Sequence, residues 1–267
     1  MKQAILLFSL VLLSLADISY SQGRSVRSQY SSSHTNRAEV LSYFREGRNY
    51  FKAKNYLLSV NSYSKAIKID PHYVASYYGR GLSYLNMKKY HLAVSDFTRY
   101  IRVFPKHSKS YYQRGLSNYH LKRYALARKD FNQVERLNPR FVNVYNIRGL
   151  TNTRLGRYHK AIEDFTRFLI YRPRYAFAYY HRGEIYEKVG DYEEAIKNYR
   201  AFIRFTKDRK TAFALRKKIR ELSIKLDEES SSKEPDNTEE EEPEDTDNED
   251  DNEDEDEDPD EEDEKDE

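Results

Sequence analysis

Residues 142–175 read VNVYNIRGLTNTRLGRYHKAIEDFTRFLIYRPRY. Counted from Val142, this stretch places Tyr145, Gly149, Ala161, Phe165 and Pro173 at positions 4, 8, 20, 24 and 32, and the pattern returns along the chain every 34 residues. Gly47, Gly81, Gly115, Gly149 and Gly183 share position 8, and Pro71, Pro105, Pro139 and Pro173 share position 32. A period of this length marks an array of modules, each of which buries its apolar face only against its neighbours.

Position 4 is Tyr throughout (Tyr43, Tyr77, Tyr111, Tyr145, Tyr179), and steps of four and three residues carry it to positions 8 and 11 on one face of a first helix. Position 20 is small (Ser59, Ala93, Ala127, Ala161, Ala195) and position 24 aromatic (Tyr63, Phe97, Phe131, Phe165, Tyr199), which predicts a second helix. Gly at 8 facing a small residue at 20 lets the two helices close up, with the ring at 24 expected in the joint to the following unit. A Gly within a helix costs about 1 kcal/mol, which that packing must offset. The prolines stop the second helix. No stretch alternates as a buried strand does, so the class is all-α.

These residues resemble the tetratricopeptide repeat family, and the resemblance covers residues 40–207. It implies an α-solenoid of about five helix-turn-helix units (40–73, 74–107, 108–141, 142–175, 176–209). Position 7 departs from the usual Leu of the family: it is Arg in four units (Arg80, Arg114, Arg148, Arg182), while Lys207 stands where a fifth Pro would. Asp96, Asp130 and Asp164 at position 23 suggest a ladder of ion pairs, within units (Arg80 to Asp96) or between them (Arg114 to Asp96). Taken as exposed pairs worth about 0.2 to 1 kcal/mol each, they set stacking register. Phe213, Leu215, Ile219, Leu222 and Leu226 predict a capping helix over 210–226, closing the last apolar face.

The ends differ from the body. Lys2 followed by an uncharged, mostly apolar run from Gln3 to Ala16 has the form of a signal peptide within residues 1–21, too short to span a bilayer. Residues 22–39 are Ser-rich and basic, a flexible lead-in. Residues 227–267 hold 28 Asp or Glu against two Lys, a net of −26, whereas residues 1–226 carry a net of +28. Such a tail repels itself and is expected to be disordered, and the body to project a positive field that attracts polyanions. The expected setting is secreted, with the endoplasmic reticulum lumen as the alternative. The missing cysteines fit, because stacked repeats bury enough surface without disulfides.

The face of the first helices about 100° from the core face, at positions 2, 5, 9 and 12, would line a groove. Its candidate residues are Phe44, Arg48, Phe51, Tyr78, Leu82, Lys109, Tyr112, Leu116, Tyr119, Asn146 and Tyr180. Apolar rings with basic neighbours suit an extended or helical protein segment that is acidic or amphipathic; equally, several of these rings could pack against the next unit. Chaperone-binding arrays that the chain resembles hold a terminal carboxylate with Lys, Asn, Asn, Lys and Arg, where this chain has Phe44, Arg48, Gly79, Lys109 and Gln113. Only Lys109 matches, so that clamp is not expected.

The tail has three readings: a tethered competitor for the groove, a diffuse weak calcium site spread over Glu249 to Asp266, or a solubilising brush. Ser232 begins a Ser-x-Glu match to secretory kinase sites. The seven histidines stand apart without a metal-ligand motif, no phosphate loop occurs, and no enzyme, cofactor or nucleic-acid partner is expected. Two functions follow: an interaction scaffold, or a calcium or mineral-matrix protein acting through its tail.

Overall fold

A computed structural model describes residues 37–231. The expected signal peptide, most of the expected lead-in, Ser232 and the span Glu249 to Asp266 lie outside the described residues. Within them the chain forms eleven helices and no strand. First helices α1 (Arg37–Lys52), α3 (Ala75–Asn86), α5 (Ser108–His120), α7 (Asn143–Arg154) and α9 (Ala176–Lys188) alternate with second helices α2 (Tyr56–Ile69), α4 (Tyr90–Val103), α6 (Tyr124–Leu137), α8 (Tyr158–Tyr171) and α10 (Tyr192–Phe205). The first four second helices end two residues before Pro71, Pro105, Pro139 and Pro173, as the proline steric rule requires.

Position 24 fills the joint to the following unit, as expected, and also serves its own hairpin. Its ring lies over the glycine of its own hairpin: a Cβ on Gly81 would stand 2.9 Å from Phe97, and one on Gly149 3.0 Å from Phe165. The glycine is there for the ring first. Position 20 completes the contact, with Ser59 Oγ donating to the Gly47 carbonyl at 2.8 Å. The ring also reaches the next unit, since Tyr63 packs on Gly79 and Phe165 stacks on His181.

Every first helix ends in one geometry. Position 15 holds Lys54, Lys88, Lys122, Gly156 and Gly190, all with φ between +58° and +83°. The next residue donates back five positions (Asn55 to Tyr50 at 2.9 Å, Arg123 to Asn118 at 2.8 Å, Asp191 to Tyr186 at 2.9 Å), which is a Schellman closure. It turns the chain tightly enough for the second helix to fold back.

The Arg ladder runs within units and bridges between them. Arg80, Arg114 and Arg148 pair with Asp96, Asp130 and Asp164 at 2.8, 2.6 and 2.7 Å. Each guanidinium also donates to position 25 of the preceding unit, at Ser64, Thr98 and Asn132, and Arg182 does so at Thr166. The carboxylates are buried, so the expectation of exposed pairs is corrected. Buried charges are costly to leave alone, so losing one partner is far more damaging than at a surface pair. Burial pushes Asp96 and Asp164 above the usual carboxylate range despite their arginines. Each Arg lies over the position-4 Tyr of its own helix, 5.5 to 5.7 Å from the ring centre. The Tyr145 and Tyr179 hydroxyls donate to the carbonyls of Pro139 and Pro173 in the preceding unit.

The capping helix, expected over 210–226, is α11 (Arg209–Ser231); it covers the end of α10, and the expectation that the disordered tail begins at 227 is corrected, because residues 227–231 continue this helix. Ala212, Leu215 and Leu222 are buried and Ile219 packs beside them, but Phe213 is 75% exposed. The seam runs 212, 215, 219, 222, and Phe213 lies about 100° off it. The backbones of neighbouring first helices come closer together than those of neighbouring second helices, which long side chains bridge, as Arg167 of α8 does to Glu135 of α6 at 2.6 Å. The stack therefore curves with its first helices inside and its second helices splayed on the outer side.

Candidate functional site

The inner side is built by residues of α1, α3, α5, α7 and α9. The position-5 rings are half-buried because they rest on the interior and on the link to the following unit. Phe44 lies 5.6 Å from Tyr63 and 5.3 Å from Tyr73; Tyr112 lies 4.7 Å from Phe141; Tyr78 is 4.9 Å from Tyr100. Tyr180 packs on Phe202. These rings thus serve the packing between helices while keeping an accessible edge. Phe51 and Tyr119 lean on Tyr56 and Tyr124, the first residues of the following second helices, and Leu82 and Leu116 are half-buried between them along the row.

Charge is sparse here. Arg48 and Lys109 are exposed, and the fifth unit sets Glu184 at the position of Arg48 and Glu187 at that of Phe51 and Tyr119. Glu187 is already engaged: it accepts from Tyr199 at 2.6 Å and pairs with Lys218 of the capping helix at 2.9 Å. Burial acts most strongly on Glu184, upward, but His181, Tyr180 and Lys188 together outweigh it and hold the carboxyl below its ordinary value. Desolvation, joined by Lys109, lowers His107 at the rim.

Asn146 breaks the aromatic row. Its Oδ1 is buried and accepts no hydrogen bond within the described residues. A buried acceptor without a donor costs roughly 1–3 kcal/mol, and such a group is satisfied when a ligand supplies one. The outer side holds what the sequence reading missed. Arg128 and Glu135 of α6 line a cleft with Arg148 and Arg167, although the 34-residue interval alone would have singled them out: every other unit has Val or Ile at position 21 and Ile or Leu at position 28.

No group of three or more His, Cys, Asp or Glu able to hold a metal occurs among the described residues. No helix there is long and apolar enough to cross a membrane.

A family model described as TPR repeat matches residues 47–88, and one described as Tetratricopeptide repeat matches residues 78–140 and 149–209. No curated protein matches. Among solved structures, YrrB, described as a TPR protein with an unusual peptide-binding site, is similar with a TM-score of 0.60 at 21% identity, over 66% of this chain and 90% of that one. MamA is similar with a TM-score of 0.57 at 22% identity, over 59% and 92%. MamA from Desulfovibrio magneticus RS-1 gives 0.60 at 17%, over 64% and 97%. At these identities the likeness concerns the fold.

Proposed function

We infer from one premise, that the chain belongs to the tetratricopeptide repeat family over most of residues 47–209, that it is a non-enzymatic scaffold binding a protein segment along its inner side. The segment is extended or helical, with apolar anchors between the position-5 rings and acidic residues meeting Arg48 and Lys109. The observation that carries this reading is the row itself: half-buried ring edges at Phe44, Tyr78, Tyr112 and Tyr180, interrupted by the half-buried Asn146, whose carboxamide can turn to pair with the backbone of a bound segment. The peptide-binding site named for YrrB is a precedent on the same fold. The apolar run before Asp17 favours a secreted protein, with the endoplasmic reticulum lumen as the alternative site of action.

The test is fluorescence anisotropy with a labelled amphipathic peptide carrying Leu and Phe anchors flanked by Glu. Saturable binding to the full chain that weakens at least about tenfold in Arg48→Glu/Lys109→Glu, a loss of about 1.4 kcal/mol, supports the reading. Binding that both proteins share equally overturns it.

A further inference from the structure

The outer side carries a cleft between two second helices. Neighbouring second helices stand farther apart than neighbouring first helices, and every unit but the third carries aliphatic residues at positions 21 and 28 of its second helix. In the third unit these positions are Arg128 and Glu135, and between α6 and α8 the cleft opens with a volume of about 580 Å³. Its walls bear Arg128, Arg136, Arg148, Arg157, Lys160 and Arg167 against three carboxylates. Those carboxylates are already engaged: Glu135 by Arg148 and Arg167, Asp164 by Arg148, and Glu163 by Lys160. Arg128, Arg136 and Arg157 have no carboxylate partner among the described residues, and Arg128 Nε is buried without an acceptor. A buried guanidinium N–H without an acceptor is a vacancy for an anion's oxygen.

We propose that this cleft is a carboxylate-binding site occupied by the chain's own acidic C-terminal segment. Charge complementarity is strong, since the 36 residues from Ser232 to Glu267 contain 25 Asp or Glu. The exit point also fits. Ser223, Leu226 and Asp227 of α11 share a small cavity with Glu193, Ile196, Lys197 and Arg200 of α10, so the chain leaves the described residues on the outer row of helices. From α11 the cleft lies past α10, at α8 and α6. Thirty-six residues are long enough to cover that distance, and tethering places the segment near the cleft at an effective concentration of order millimolar. The inner side then stays open to a partner, and nothing here depends on which partner that is.

Zero-length carbodiimide coupling of the full-length protein, followed by peptide mapping, tests this. At low salt, links from tail carboxylates are expected on Lys160 well above those on Lys52 and Lys109, and to vanish at about 0.5 M salt. Arg128→Val/Arg136→Gln/Arg157→Ser is expected to cut the Lys160 links several-fold. Val is the neighbours' residue at position 21, and Ser is a favoured residue for starting a helix. The matched variant Lys89→Gln/Arg102→Gln/Lys106→Gln, which removes the same charge elsewhere on exposed positions, is expected to leave them unchanged. Equal loss in both variants, links spread evenly over Lys52, Lys109 and Lys160, or a yield that scales with protein concentration would each overturn the proposal.

Discussion

A Cβ placed on Gly115 would lie 2.6 Å from Cε1 of Phe131, in the same hairpin. Phe131 is fully buried, so its ring has nowhere to go. Overpacking of this kind costs about 1–3 kcal/mol, against a gain of about 1 kcal/mol from better helix propensity. Gly115→Val, which adds more bulk and gains less propensity, should therefore destabilise clearly more than Gly115→Ala in denaturant unfolding. If the two are equally stable, the ring does not fix the glycine.

Asp164 accepts from Arg148 and from Asn152 and is buried with them. Asp164→Ala is expected to cost about 3–5 kcal/mol because it strands a buried guanidinium. Lys160→Ala, which breaks only the exposed pair with Glu163, is expected to cost at most about 0.5 kcal/mol. The ratio of the two, read from chemical denaturation, separates a structural ladder from a decorative one.

Much of this was legible in the 34-residue interval. Tyr145, Gly149, Phe165 and Pro173 give the hairpin because each does a job that sequence spacing encodes: a face, a close approach, a filled joint, a stop. What stayed hidden depends on direction. Spacing could not say whether Arg114 reaches Asp96 or Asp130, since both partners lie about as near in a stacked array; the side chain in fact takes Asp130 within its unit and Thr98 from the unit before. Phe213 was misplaced because a seam read by counting can shift by one residue when a small Ala212 serves as well. The inner row was named residue by residue, but how much of Tyr78 or Tyr112 is left for a ligand depends on packing with Tyr100 and Phe141 that no count reveals.

Position 15 supplies a test of the backbone alone. A Cβ on Gly156 meets nothing within 4 Å, yet its φ is +69°. Gly156→Ala should cost about 1–2 kcal/mol from left-handed strain, and Lys122→Gly at the equivalent turn should be neutral to stabilising by up to about 1 kcal/mol. Thermal unfolding of both variants decides it; a stabilising Gly156→Ala would contradict the turn geometry.

Glu135 gives a signature in pH. Its hydrogen bond from Arg148, against an opposing effect of burial, holds the carboxyl below the ordinary 4.5. A depressed acid contributes stability that is complete above its unfolded value and is lost as pH falls through its folded one. Stability measured downward from about pH 4.5 should therefore fall less steeply in Glu135→Gln than in the parent chain. Parallel profiles would show that the pair with Arg148 adds nothing.

The most direct measurement is NMR titration of the full chain with the amphipathic acidic peptide. The inner-side account predicts saturable shifts concentrated at Arg48, Leu82, Lys109, Tyr112 and Asn146, with Asn146 side-chain amide signals among the largest. Shifts confined to the outer helices α2, α4 and α6, with the Asn146 amide unmoved, would contradict it.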